Sequence, residues 1–359
     1  MDDTEVLVIG GGPAGAAAAI VLARAGRRCV VLEGQPAPGW KIGETLAPES
    51  RPLLQALGVW EPFQQDGHRP SPGNGSAWGG VELVAKDFIF NPHGCAWQLD
   101  RPRFEAMLLH AAEAAGATVA RGVAAQTIRR EAGGWEVTAN ANPCRASWLV
   151  DATGRGAMVA RQLGVARRLE DKLVAVYAVV SATAETDTDA RTLLEAEADG
   201  WWYTALMPGG RRVFAWLTDA DLLPGHEWRE AAWFWRRVAA TRCLAPLHAP
   251  AGETPAPKLT SAHSGRLGAV HGEGWVATGD AAQSFDPLSG EGLFHALLSG
   301  QRAAQGLVGN LSGETNGLGD YAALSESLWR RFLHQRQAAY TAEPRWRDQP
   351  FWQRRQRAM

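Results

Sequence analysis

Glycines stand at positions 10, 12 and 15 in Gly10-Gly-Gly-Pro-Ala-Gly15, directly after the β-branched apolar run Glu5-Val-Leu-Val-Ile9. A strand, a glycine turn and a helix in that order can hold a dinucleotide. One glycine makes the tight turn, one lets the backbone approach a pyrophosphate, and the third lets helix and strand pack closely. The phosphates would lie on the helix N-terminus, where free N–H groups and the helix dipole favour anions. Ala14 to Leu22 is almost wholly aliphatic and is predicted as a buried helix ended by Gly26; Arg28-Cys-Val-Val-Leu32 is predicted as the second strand. Glu33 closes that strand 18 residues beyond Gly15, placed to accept hydrogen bonds from a ribose. Glycines also mark ordinary turns, but here strand, turn, helix, second strand and terminal acid all coincide. Gly10, Gly12, Ala14, Gly15 and Glu33 are therefore the first candidate nucleotide-binding residues.

Other chemistries find less support. Cys29, Cys95, Cys144 and Cys243 lie far apart without a CxxC pair, a spacing that suits neither zinc nor a redox dithiol. No metal site is expected. A net charge of −2 argues against nucleic acid as the main partner. No apolar run approaches the roughly 20 residues of a membrane helix. The acidic start Met-Asp-Asp-Thr-Glu lacks the basic-then-apolar pattern of a signal peptide, so a cytoplasmic protein is expected. The 16 tryptophans suit both cores and pockets for flat ligands, and most are expected in the core.

Two later segments narrow the nucleotide. Ala146-Ser-Trp-Leu-Val-Asp-Ala-Thr-Gly154 and Gly274-Trp-Val-Ala-Thr-Gly-Asp-Ala-Ala282 each read as a strand entering a small-residue turn. With the glycine turn they form an ordered set over residues 10 to 280 that resembles the flavin monooxygenases and flavin-dependent halogenases. The resemblance implies FAD, bound non-covalently, with Gly279 and Asp280 at its ribityl and pyrophosphate region. Asp280 could equally cap the next helix, and Asp151 could be a strand-end polar residue. Trp40-Lys-Ile-Gly-Glu44 resembles the segment beside the flavin in that family, which makes Lys41 and Glu44 candidates; surface roles remain open for both. Arg101, just ahead of a helix predicted over Phe104–Gly116, stands where the family places a phosphate-contacting arginine. Gly154-Arg-Gly156 has Val159 where a third glycine is needed, so no separate NAD(P)H domain is expected. NAD(P)H docking transiently, or a separate flavin reductase, would supply electrons.

The stretch Ser284-Phe-Asp-Pro-Leu-Ser-Gly-Glu-Gly292 bends toward a helix N-terminus. In relatives that end points at the flavin's pyrimidine edge, so Gly290 and Gly292 join the cofactor set. Halogenases carry Pro-Leu-Glu-Ser-Thr-Gly there, and Glu291 replaces the threonine that helps hold halide. A carboxylate would repel chloride by several kcal/mol at an effective dielectric constant of about 20. Gly200-Trp-Trp-Tyr-Thr-Ala-Leu-Met-Pro208 does not fit the halogenase tryptophan signature, and Lys86 is the one candidate for the relay lysine. Halogenation is therefore not expected. Ser76-Ala-Trp-Gly79, Asn91-Pro-His-Gly94, Gly200-Trp-Trp-Tyr203 and Asp286-Pro-Leu-Ser-Gly290 resemble the branch that hydroxylates a peptidyl tryptophan in tryptophylquinone cofactor maturation. That resemblance implies a monooxygenase acting on a tryptophan-like aromatic, free or carried on a peptide or protein, through a flavin C4a-hydroperoxide. His93 and Glu291 are the candidate catalytic residues; Trp97, Trp202, Tyr203 and His295 are the candidate substrate-binding residues. His295 lies on an apolar helix and also suits the core, and one of Trp202 and Tyr203 at most can face a pocket. A halogenase or other FAD-dependent oxidoreductase, and a non-catalytic FAD-bearing maturation partner, are the alternatives.

The elements that must position these residues are predicted as an α/β fold. A Rossmann-type, aromatic-hydroxylase-like FAD-binding domain (residues 1–70, 101–165 and 266–310) is interleaved with a mainly antiparallel β-sheet substrate domain (71–100 and 166–265). A helical region, 311–359, follows. Strands are expected at 173–180 and 211–217, a helix at 227–243, a polar loop with a short helix at 187–199 and a connector at 245–257. The carboxyl end from 321 carries eight arginines against three acids. Its helix, expected at 325–340, is read as packing with its arginines solvated in preference to recruiting an acidic partner.

Overall fold

The computed structural model describes residues 3–182, 187–248, 254–314 and 316–356. The strand Thr4–Ile9 lies at the centre of a mostly parallel sheet, between Cys29–Glu33 and Asn142–Asp151. Thr118–Arg121 and Trp275–Ala277 extend it on either side, again in parallel. Burial on both faces explains why these strands read as unbroken Val, Leu and Ile instead of alternating. Pro13–Arg24 is the first helix, with proline in its first turn, where the missing N–H costs nothing. The long helix Gly292–Leu311 crosses it at Gly300, where a Cβ would come within 2.2 Å of the Ala14 carbonyl oxygen.

A seven-stranded sheet forms the second layer. Its order is Lys258–Ser261, Leu173–Ser181, Arg211–Asp219, Gly200–Met207, Thr192–Glu197, Gly73–Ala77, Val84–Asp87, antiparallel except where Thr192–Glu197 meets Gly73–Ala77. Its two faces bury different sets. Trp202, Phe214 and Trp216 pack under the helix Ala231–Ala240. Trp201, Ala215 and Leu217 face the other way, with Tyr203, Ile42 and Leu288 packed against them. The second face looks toward the nucleotide-binding layer.

Three expectations need correction. Thr192–Glu197 is a strand inside the sheet, although Glu and Ala favour helix; pairing on both edges and burial of Leu193 and Ala196 override local propensity. The helix expected from Phe104 begins at Arg101, with the Asp100 side chain accepting from the Arg103 N–H at 3.2 Å. The C-terminal arginines are also less solvated than expected. Arg355 is buried on Asp219 at 2.6 Å, and Arg336 joins Asp171 at 2.9 Å and Asp286 at 3.3 Å. They belong to the helices Gly317–Thr341 and Pro350–Gln356, which brace the sheet. Of the connector at 245–257, Ala245–Leu247 is a single helical turn and 249–253 lie outside the described residues.

Candidate active site

The glycine turn shows what each glycine does. Gly10 has φ +105°, and a Cβ there would lie 2.3 Å from the Ala152 carbonyl oxygen; at Gly15 it would lie 1.9 Å from that of Gly10. A Cβ at Gly12 would meet nothing within 4 Å. Two glycines are thus required by protein contacts, and the middle one leaves open space in front of a helix N-terminus. The first N–H groups of that helix have no intrahelical acceptor and are free for an anion. Glu33 is fixed beside the turn: its Oε2 accepts from the Gly11 N–H at 2.8 Å and its Oε1 from Gln35 at 2.9 Å.

Asp280 sits in the turn Gly279–Ala281, beyond the strand Trp275–Ala277. A Cβ on Gly279 would meet that of Ala14 at 2.7 Å, so the turn abuts the first helix. Arg155 approaches the Asp280 carboxylate at 3.2 Å, and Arg167 holds the Asp280 carbonyl oxygen at 3.0 Å. Asp151 is fully buried and organises the neighbouring turn, accepting from the Thr153 hydroxyl at 2.6 Å and the Ala160 N–H at 3.0 Å. It is the strand-end polar residue of the two.

A second cluster comes from the segment near residue 40. Lys41 binds Glu105 at 2.8 Å, and Arg101 binds both Glu105 and the Gly43 carbonyl oxygen. Glu44 is buried, with Oε2 accepting from the Gly43 N–H at 2.8 Å. Burial raises its carboxyl above the ordinary range, although the Gly43 N–H and the Arg101 charge pull it down. Glu44 Oε1 and Arg101 Nε are buried without a partner among the described residues. Orphaned polar groups of this kind, beside an open glycine cradle, fit a polar ligand that supplies the missing bonds.

The third part is the loop Ser284–Glu291. Asp286 caps the turn Pro287–Ser289 by accepting from Leu288 N–H at 3.0 Å, and Gly290 leaves that turn at φ +65°. Glu291 then stands at the N-cap position of the helix Gly292–Leu311, without a side-chain bond to the helix N–H groups. A Cβ at Gly290 or Gly292 would meet nothing within 4 Å, so this N-terminus is open as well. One turn in, His295 Nε2 lies 3.3 Å from Glu291 Oε2, and its ring stacks on Phe285 at 4.2 Å. The His295 hydrogen bond holds the Glu291 carboxyl below its ordinary value, outweighing burial. Tyr203 lies on the sheet face opposite this loop, packed in one apolar cluster with Ile42 and Leu288; burial pushes its phenol well above its ordinary value.

Residues 3–322 match the family model for the FAD binding domain. The chain belongs to that family. It is 29% identical over 365 residues to the FAD-dependent oxidoreductase LodB of Marinomonas mediterranea, covering 99% of this chain and 97% of LodB. The fold superposes on the myxobacterial chondrochloren halogenase CndH with a TM-score of 0.89 at 23% identity, over 100% of this chain and 87% of that one. Against the peptidyl tryptophan dihydroxylase QhpG, essential for tryptophylquinone cofactor biogenesis, the TM-score is 0.81 at 26% identity, covering 99% and 79%. This flavoprotein is an FAD-dependent oxidoreductase.

The two open helix ends and the orphaned atoms fit FAD. Gly10, Gly12, Ala14, Gly15, Glu33, Gly279 and Asp280 gather at the carboxyl ends of the parallel strands, where such folds hold nucleotides. Lys41, Glu44 and Arg101 form one neighbouring cluster, and Gly290, Glu291, Gly292 and His295 another. Tyr203 packs with Ile42 and Leu288 beside these clusters, and the other remaining candidates are not brought together with them. Trp202 is fully buried between Trp216 and Phe234 on the far side of the sheet, a core residue instead of a substrate contact. Trp97 packs edge-on to Phe63 at 5.3 Å in a core aromatic cluster. His93 lies in the loop after Phe90, its N–H on the Asn91 side chain, and no hydrogen bond or ion pair among the described residues joins it to Glu291. Glu105, Arg155 and Tyr340 were missed. Glu105 had a signal, standing four residues after Arg101 on one helix face; the other two make contacts more than 50 residues away.

Proposed function

We propose that this flavoprotein is a monooxygenase that places an oxygen atom on an electron-rich, tryptophan-like aromatic ring, with a peptide- or protein-borne residue as substrate. One observation carries the reading. Glu291, kept ionised by His295, puts a carboxylate at the helix end where a halide would have to sit, and a neighbouring negative charge opposes halide binding. Lys86, the candidate for a halogenating relay, is exposed on the outer edge strand Val84–Asp87. The likeness to the dihydroxylase QhpG supports the oxygenating reading.

Bound FAD, once reduced, supplies the dioxygen chemistry. This chain's residues would hold the nucleotide on the Gly10–Gly15 turn and Glu33, and the N–H groups at Gly292 would be available to negative charge on the ring. Glu291 and His295 form the pair that can take up or release a proton next to the substrate. Tyr203, with Ile42 and Leu288, walls the apolar side and keeps water out. The reading takes the cytoplasm as compartment and NAD(P)H or a separate flavin reductase as electron source. Similarity to halogenases makes halide oxidation the competing reading. Substrate-dependent oxygen consumption by the FAD-loaded protein decides between them: equal turnover without chloride or bromide is expected, and a strict halide requirement would overturn the proposal.

A further inference from the structure

We propose that Tyr340 is a positioning residue: its hydroxyl latches the loop Ser284–Glu291 in the geometry that delivers Glu291 and the Gly292 helix end to the flavin. The inference rests on the FAD reading above but not on whether oxygen or halogen is transferred.

Tyr340 is the penultimate residue of the helix Gly317–Thr341 and is fully buried. Its hydroxyl donates to Asp286 Oδ2 at 2.8 Å and accepts from Trp201 Nε1 at 3.1 Å. Asp286 is itself 1% exposed. Its other oxygen caps the turn that Pro287 opens, accepting from Leu288 N–H at 3.0 Å. One carboxylate therefore bonds the loop to itself through Oδ1 and to the C-terminal helix through Oδ2. Arg336 shares Oδ2 at 3.3 Å and continues to Asp171 at 2.9 Å, which supplies charge balance. Arg355, bound to Asp219 at 2.6 Å, lies 5.3 Å from the Tyr340 ring centre.

The bond from Trp201 gives the latch its second end. Trp201 lies on the strand Gly200–Met207, two residues before Tyr203 and on the same face, their rings 6.4 Å apart. The sequence Trp201 N–H, Tyr340 O–H, Asp286 carboxylate thus joins the sheet that walls the substrate side to the loop that faces the flavin. A group retained only for burial could be phenylalanine. A hydroxyl that both donates and accepts between two separately folded segments fixes their spacing. Among the described residues, Tyr340 and Arg336 are the side chains of the helix Gly317–Thr341 that hydrogen-bond to Asp286, and the Arg336 bond is the longer.

The test uses FAD-loaded Tyr340→Phe and Trp201→Phe. Tyr340→Phe should bind FAD with affinity close to the parent, since the glycine cradle is untouched. Amide exchange across residues 285–292 should rise by about tenfold, the effect of losing one buried hydrogen bond. The midpoint potential of bound FAD should become more negative, because a loosened helix end would offset negative charge on a reduced ring less well. Trp201→Phe removes one bond from the latch while leaving the loop's own residues unchanged and should shift both readouts in the same direction by less; it also decides the matter if Tyr340→Phe does not fold. A lowered thermal midpoint with parental loop exchange and potential, in whichever variant folds, would show a structural role and overturn the inference. A parent protein that takes up no FAD would instead overturn the functional reading.

Discussion

The two ends of the flavin site are specified in different ways. At the nucleotide end, Gly10 and Gly15 are dictated by carbonyl oxygens about 2 Å from where a Cβ would sit, and Glu33 is fixed by two backbone N–H groups from its own neighbourhood. Six residues of local sequence, running from the end of the first strand into the first helix, almost define the cradle. At the ring end, Gly290 and Gly292 meet no such obstruction, and the loop leading to them is held from outside at Asp286 by Tyr340 and Arg336. The cradle is a backbone device. The reaction end is a tertiary one, open to change by substitutions far away in the chain.

The comparison can be broken most severely at Gly15. Gly15→Ala should abolish FAD binding and lower soluble yield, because its Cβ would collide with backbone, whereas Gly12→Ala should leave the apoprotein's thermal midpoint unchanged and raise only the FAD dissociation constant. Yield and flavin absorbance of the purified variants check this. Trp202→Ala should cost about 3–5 kcal/mol in chemical denaturation with FAD affinity unaffected until the protein unfolds. Tyr203→Phe should instead change substrate KM with little loss of stability. Glu291→Gln should lower kcat by about a hundredfold, the usual worth of a positioned acid–base group, with FAD still bound. Equal stability losses in Trp202 and Tyr203 variants would erase the distinction between the two sheet faces.

The smallest effect is electrostatic. Glu291 has a folded pKa below its ordinary value of 4.5, chiefly through His295. A depressed carboxylate pKa means that the pair's stabilisation is complete above about 4.5 and is lost as pH falls through the lower folded value. The thermal midpoint of the parent should therefore drop toward that of Glu291→Gln in this acidic window, and the gap between them should be constant at neutral pH.

The same contrast explains what the sequence made legible. A glycine's reasons are local, so Gly10, Gly12, Gly15 and Glu33 could be read directly, and the parallel strands announced themselves as unbroken apolar runs. The Trp202–Tyr203 alternation was visible, but its phase was not: which face meets the flavin layer depends on how the whole sheet docks. Thr192–Glu197 read as loop and helix because its partners lie more than 100 residues upstream at Gly73–Ala77 as well as next door. The contact of Asp286 with Tyr340 spans 54 residues and leaves no periodic signal. His93, chosen for its Pro-Gly surroundings, lies on a loop whose packing no local pattern encodes.

The most direct test follows the oxygen atom. FAD-loaded protein would be given a reductant, isotopically heavy dioxygen, bromide and a tryptophan-containing peptide, and the product weighed by mass spectrometry. The account predicts a peptide carrying heavy oxygen on its aromatic ring and no bromine isotope pattern. A brominated peptide without incorporated oxygen would contradict it.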